Sequence, residues 1–423
     1  MNVLIIGSGA REHAFCWKIK QSKRINKLYV APGNAGTEKI AQNIEISISD
    51  FQEIKNILLS KSISLIIIGP EIPLINGLTD FIKKDPELKK VLVVGPSKLG
   101  SMLEGSKDFS KEFMFNHNIP TASYKTFNIN SLNEGLEYLE TIPPPYVLKA
   151  DGPAAGKGVL ILNDLASAKT ELSDMLVNNK FGKSGHKVVI EGFLSGIELS
   201  CFVLVDGKSY LTLPSAKDYK RIGEGDIGLN TGGMGSISPV PFASEEFLSK
   251  IDEKIIKPTV KGIIEDQLDY VGFLFIGIIK VENEPYVIEY NVRMGDPETQ
   301  VVLPRIKNDF LEMMVKTASG KLDSINLESD NSTYANVVLV SGGYPGPYEN
   351  EKKITGLNNE MDSIIFHAGT KKQGKDIITN GGRVLSVVSK SDDFKSALLK
   401  SYKSIEGIDF EKKYFRKDLG FDL

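Results

Sequence analysis

With 423 residues the chain has room for about three domains of ordinary size. Its 41% hydrophobic and 25% charged content is that of a soluble globular protein, and a net charge of −3 gives no bulk attraction to nucleic acid or to a membrane surface. Two isolated cysteines, Cys16 and Cys201, and the scattered His13, His117, His186 and His367 exclude a disulfide framework and a zinc constellation.

The opening run Met1-Asn2-Val3-Leu4-Ile5-Ile6-Gly7 reads as a strand, without the basic leader or the length of a signal peptide. No apolar stretch reaches membrane-spanning length, so a cytoplasmic protein is expected. Residues 3–6, 28–30, 65–68 and 91–94 are apolar runs that end at Gly, Pro or Ala, which predicts an N-terminal parallel α/β domain over 1–103. Ligands of such a sheet bind beyond the strand ends. Gly7-Ser8-Gly9 there invites a dinucleotide reading. However, Glu12 stands where the fingerprint wants its last glycine, and no acid follows the second strand. A phosphate-bearing substrate at the helix N-terminus remains open.

Residues 104–327 mix helices and strands. They predict helices near 107–115, 132–139 and 167–176, strands near 146–149, 158–161 and 187–194, and a glycine-dense loop over 222–235. Lys217-Asp218-Tyr219-Lys220-Arg221 before that loop supplies positive charge for a phosphate or carboxylate. From 328 onward short strands near 334–340, 364–367 and 384–388 and a helix near 394–405 predict a small α+β module without an evident catalytic cluster.

Two distant segments carry the chemistry. Lys149-Ala150-Asp151-Gly152-Pro153-Ala154-Ala155-Gly156-Lys157-Gly158 puts lysines on a glycine-rich turn after a strand, which suits phosphate. It is not a P-loop, because three residues rather than four separate Gly152 from Gly156 and Gly158 replaces the metal-binding hydroxyl. In Glu289-Tyr290-Asn291 a carboxylate and an amide lie two apart, on one face of a strand. Hard oxygen ligands of that kind suit Mg²⁺ shared with phosphate, and the pair of segments suits phosphoryl transfer.

These strings, with Gly7-Ser8-Gly9-Ala10-Arg11-Glu12-His13, Asn230-Thr231-Gly232-Gly233-Met234-Gly235, Arg293-Met294-Gly295-Asp296-Pro297-Glu298 and Asn380-Gly381-Gly382-Arg383, run collinearly through the chain. In that series the chain resembles the phosphoribosylamine–glycine ligase (glycinamide ribonucleotide synthetase) family of the ATP-grasp superfamily. The resemblance implies a pre-ATP-grasp N-terminal domain, an ATP-grasp core of two α+β subdomains with 121–192 as a mobile lid, and a C-terminal α+β domain over 328–423. It also implies ATP-dependent joining of glycine to 5-phosphoribosylamine, by way of glycyl phosphate, in purine biosynthesis. Mg²⁺ or Mn²⁺ would be held by Glu289 and Asn291. ATP would be held by Lys107, Lys149, Gly156, Lys157, Gly158, Glu191, Phe193, Leu194 and Glu198. Arg293, Lys220 and Asp218 would be catalytic. Gly9, Arg11, Asn34, Gly69, Glu71, Asn230, Gly295 and Asp296 would contact the other substrates. A monomer, or alternatively a dimer, acting on small molecules is expected. Three places depart from the family pattern: Tyr219 stands where His is usual, Leu229 where Pro is usual, and Ser236-Ile237 where Ala-Tyr is usual. Another ATP-grasp ligase with a different acyl donor or amine is the alternative.

Overall fold

A computed structural model describes residues 1–154, 158–357 and 362–423, with Lys183 described by its backbone alone. Its first unit is an all-parallel sheet of β1 (Asn2–Gly7), β2 (Lys27–Pro32), β3 (Gln42–Asn43), β4 (Leu65–Ile68) and β5 (Leu92–Val94), in the order β3-β2-β1-β4-β5. The inner strands β1 and β4 are apolar on both faces because helices cover both sides of the sheet. Strand order reverses between β1 and β4, which opens a crevice at their carboxyl ends. Helix α1 (Ala10–Ile19) starts at that crevice and is capped by Gly9.

Two antiparallel sheets form the middle of the molecule. The smaller orders strands Tyr124–Asn128, Lys187–Glu191, Tyr146–Ala150 and Val159–Leu162, and buries Leu148 and Ile190 against Leu139, Leu172 and Met175 of two helices. The larger pairs Ile197–Asp206 with Val271–Val281 and is flanked by Tyr210–Thr212 and Glu284–Asn291. Residues 192–196 join the two without regular structure.

A third sheet orders Lys217–Asp218, Gly235–Ser238, Thr333–Val340, Arg383–Ser391 and Ser363–His367. Strands from before residue 328 thus share a sheet with those after it. The expected loop over 222–235 is largely a hairpin instead, with strands Arg221–Gly223 and Ile227–Asn230. Its turn needs Gly225, Asp226 and Gly228 at positive φ, so turn-forming residues mask the short strands in the sequence. One apolar core spans the units: Phe15 of α1 stacks on Phe273 at 5.6 Å and on Phe310 at 5.9 Å, and Phe366 and Val388 of the C-terminal sheet belong to the same cluster. Cys16 and Cys201 are buried free thiols, and no described helix is long and apolar enough to cross a membrane.

Candidate active site

Strand Glu284–Asn291 ends in a cleft between the two antiparallel sheets, and period-two alternation puts Glu289 and Asn291 on one face. Lys149 reaches across from the smaller sheet, its Nζ donating to the Ile288 carbonyl at 3.4 Å. Lys107 begins the helix Lys107–Asn116. Asp151 fixes that helix start by accepting from Ser106 Oγ and the Asp108 amide, both at 2.8 Å. Lys220 pairs with Glu198 at 2.6 Å, both still partly open to the cleft.

Charge converges on Glu289. Burial would push its carboxyl up, but Lys220, Lys107, Lys149 and Arg293 together hold it below the usual carboxylate range. The Glu289 carboxylate makes no hydrogen bond among the described residues, while Asn291 Oδ1 accepts from Arg293 Nη2 and leaves only its amide nitrogen, a donor, without a partner. The free carboxylate, with the Asn291 oxygen beside it, suits a divalent cation that takes its other ligands from phosphate and water. Among the described residues, no three His, Cys, Asp or Glu side chains form a self-sufficient metal cage.

Arg293 is clamped on its acidic side. Its Nη2 donates to Glu104 Oε1 at 2.9 Å and to Asn291 Oδ1 at 3.1 Å, and its Nε lies 3.5 Å from Glu71 Oε2. Burial disfavours its charge, but Glu104 and Glu71 more than restore it. For Glu71 burial likewise opposes charge, and Arg293 and Arg11 hold the carboxyl below its ordinary value. Glu104 also accepts from the Val292 amide at 2.7 Å, so one carboxylate sets both backbone and side chain of this turn. Nothing local in the sequence marks Glu104, which comes from a separate short helix.

The N-terminal crevice meets the same turn. Glu12 fills the space beside α1: its Oε2 accepts from the Gly9 amide and its Oε1 from Arg11 Nε, both at 2.6 Å. A Cβ on Gly7 or Gly69 would collide with that carboxyl group, so glycines clear the room it occupies. The amide of Gly9, a residue expected to contact a substrate, is therefore already engaged by Glu12. Arg11 also donates to the Met294 carbonyl at 3.2 Å. Asp296 lies against Gly9, with Oδ2 3.0 Å from where a Cβ would be, and accepts from Gln300 Nε2 at 2.8 Å. Burial opposes its charge, while Arg383 and Arg11 hold it low. Arg383, from the C-terminal module, donates to the carbonyls of Gly232 and Asp296, each at 2.6 Å. A module read as chemically silent thus supplies a cation beside the site.

Other expected residues are placed differently. Glu191 is flanked by two lysines, Lys149 at 2.9 Å from Oε1 and Lys111 at 3.0 Å from Oε2, yet its buried Oε1 has no hydrogen-bond partner among the described residues. Burial, with Lys149 next in weight among the lowering influences, brings Lys111 down to about 8 against the pull of Glu191. Phe193 is exposed in the 192–196 connection, with Leu194 half-buried beside it. Asn34 is a joint: its amide donates to the carbonyls of Ser8 and His367, both at 2.8 Å, and its Oδ1 accepts from the amides of Gly36 and Thr37. Asn230 ends the hairpin, opposite Arg221. Gly295 lies against Glu298, whose carboxyl burial and Asp218 push up to about 8. Asp218 is itself raised, chiefly by burial, with Glu198 adding to it against Lys220. Gly158 packs on Ala154 and Ala150, while Gly156 and Lys157 lie outside the described residues.

Two antiparallel sheets that direct lysines and a metal-type strand end into one cleft, behind a parallel α/β unit, define an ATP-grasp protein. The chain matches the phosphoribosylglycinamide synthetase N domain over residues 1–104, the ATP-grasp (A) domain over 105–299 and the C domain over 334–422, and it belongs to that family. The phosphoribosylamine–glycine ligase of Caldanaerobacter subterraneus subsp. tengcongensis is 42% identical over 99% of both chains. The crystal structure of the Thermotoga maritima phosphoribosylamine–glycine ligase superposes with a TM-score of 0.86 at 34% identity, over 99% of this chain and 100% of that one. A Campylobacter jejuni biotin carboxylase–β-γ-ATP complex shares the fold at 15% identity, with a TM-score of 0.75 over 97% of this chain and 92% of that one.

Proposed function

We propose that this chain joins glycine to 5-phosphoribosylamine at the expense of ATP, giving glycinamide ribonucleotide, ADP and phosphate, a step of purine biosynthesis. The observation that carries the reading is Glu289 with Lys220, Lys107, Lys149 and Arg293 gathered around it from four separate segments. Full-length likeness to ligases of that name supports the choice of substrates.

Glycine's carboxylate and the triphosphate are both anions, and the cleft cations let them approach. Lys149 and Lys107 neutralise the phosphates, with Lys157 as the further cation that the family resemblance implies. Phe193 and Leu194 offer backbone groups to the adenine, which Glu191 supports from behind through its lysines. Glu289 and Asn291 would hold Mg²⁺ or Mn²⁺, which supplies charge compensation on the phosphates when bound. A glycine carboxylate oxygen attacks the γ-phosphorus, the bond to the ADP oxygen breaks, and glycyl phosphate forms. Arg293 and Lys220 stabilise the charge that moves in this step. The amine of phosphoribosylamine then attacks the acyl carbon and the acyl C–O bond breaks to release phosphate. Asp218, whose carboxyl burial raises and Lys220 holds back, takes the proton the nitrogen sheds.

Omission assays test the reading. ADP release should need a divalent cation, glycine and phosphoribosylamine together. Equal ADP release with bicarbonate in place of glycine would exclude this ligase and favour another acyl donor.

A further inference from the structure

We propose that Asp422 is a positioning residue for this reaction, acting on Lys220 and Asp218 from behind the strand that carries them. The proposal rests on the reading of the cleft given above. In the strand Lys217–Asp218 and the two residues after it, Lys220 meets Glu198 at the cleft, while Lys217 and Tyr219 meet Asp422 on the other side. On that rear face Asp422 makes two contacts: its Oδ1 accepts from the Tyr219 hydroxyl at 3.1 Å, and its Oδ2 pairs with Lys217 Nζ at 3.1 Å. Lys217 and Tyr219 are 6% and 2% exposed, and the Asp422 carboxylate that joins them lies at the rim of this rear face with its side chain 27% exposed.

Neighbouring contacts make this a built joint. The Lys217 ammonium lies 5.1 Å from the Tyr219 ring centre, the Arg416 guanidinium lies 5.5 Å from it, and Phe421 packs on the same ring. Arg416, fully buried, donates to Asp226 and to the Arg221 carbonyl, and Asp418 accepts from the Gly225 amide at 2.7 Å. Leu419 occupies the space above Gly235, where a Cβ would collide with it, and Gly235 lies in the strand paired with Lys217–Asp218. The segment from 414 to 422 therefore grips both the catalytic strand and the hairpin that follows it. Lys220 meets Glu198 at the cleft through a partly open ion pair, while the buried Lys217 and Tyr219 beside it in the chain are held from behind by Asp422.

The test compares Asp422→Ala, Asp422→Asn and Asp422→Glu in the full chain, with thermal unfolding recorded for each. Tyr414→Phe is the control: it removes the hydroxyl bond to the Ile222 carbonyl from the same segment without touching the rear face. Asp422→Ala should lower kcat by about tenfold to hundredfold, as misplacement of a reacting group does, with ATP affinity unchanged. Asp422→Glu should recover more turnover than Asp422→Asn, and Tyr414→Phe should behave as wild type. Adding Lys217→Met to Asp422→Ala should cost little more, since both act through one joint. Wild-type kcat in folded Asp422→Ala would overturn the proposal, as would equal losses of kcat, ATP affinity and stability in Ala and Glu variants alike. Lys220→Met tells the two levels apart. If it is inactive while Asp422→Ala is fully active, only the positioning role fails; if it retains full turnover, the reading of the cleft fails and this role with it.

Discussion

Glu289 sits among four cations, an excess of positive charge that a triphosphate and a glycine carboxylate would balance. Its own carboxylate is then the counterweight that keeps those cations from repelling one another before substrate arrives. Glu289→Ala should lower kcat by about 10²–10³, the size of effect found when one preorganised electrostatic partner is removed. Asn291→Asp keeps an oxygen at the same place and should retain part of the turnover. Titrating ADP release with Mg²⁺ checks both variants, and a wild-type Mg²⁺ dependence in Glu289→Ala would place the metal elsewhere. Glu289, Asn291 and Lys149 were legible in the sequence because strand ends announce themselves locally: an apolar run stops and polar groups follow. Glu104, Lys111 and Arg383 were not, since each reaches its partner only when distant segments fold together.

At the scale of elements, the contact between α1 and the C-terminal sheet turns on two histidines. His13 Nδ1 accepts from the His367 amide at 2.8 Å, a bond that a protonated Nδ1 cannot make, and Gly36 leaves room for the His13 ring. Burial lowers both imidazoles to about 3, with His367 adding to the effect on His13 and Lys39 to both. The folded state therefore stays neutral at these sites while the unfolded chain takes up protons below the ordinary value of 6.5. Stability from this joint is present above that value and is lost as pH falls toward 3, by up to about 1.4 kcal/mol per pH unit for each histidine. Urea unfolding at about pH 7 and about pH 5.5 should show this slope, and His13→Asn, which keeps an acceptor but does not titrate, should remove a large part of it. An unchanged slope in that variant would mean the histidines titrate normally. Elements with long apolar runs, such as β1 and β4, could be read from the sequence. The hairpin at 221–230 could not, because its two short strands are outnumbered by turn residues.

Across the whole molecule the N-terminal crevice and the ATP cleft meet at the turn Arg293-Met294-Gly295-Asp296. Arg11 holds the Met294 carbonyl, Glu71 faces Arg293, and Asp296 lies against Gly9. Because Glu12 occupies the Gly9 amide, Gly9→Ala would press a methyl group on two carboxylates, 2.9 Å from Glu12 and 3.0 Å from Asp296. It should weaken use of phosphoribosylamine by about tenfold to hundredfold, the equivalent of one lost charge-assisted contact. ATP affinity measured by calorimetry should stay unchanged, since no ATP contact is assigned to Gly9, Glu12 or Asp296. Loss of ATP affinity with phosphoribosylamine saturation intact would reverse this division of labour. Strand and helix patterning along the chain marked the N-terminal parallel sheet, but the shared C-terminal sheet and the apolar cluster that joins it to α1 were not visible there, because both depend on pairings over long sequence separations.

The central claim is that glycine is activated on its carboxylate by ATP before the amine attacks. Glycine labelled with ¹⁸O in both carboxyl oxygens provides the direct measurement, read as the isotope content of the phosphate released during turnover. Attack by a carboxylate oxygen on the γ-phosphorus, followed by cleavage of the acyl C–O bond, moves one labelled oxygen into each phosphate and leaves one in the amide product. That transfer is expected in the wild-type chain. Phosphate released without label, while labelled glycinamide ribonucleotide accumulates, would contradict it.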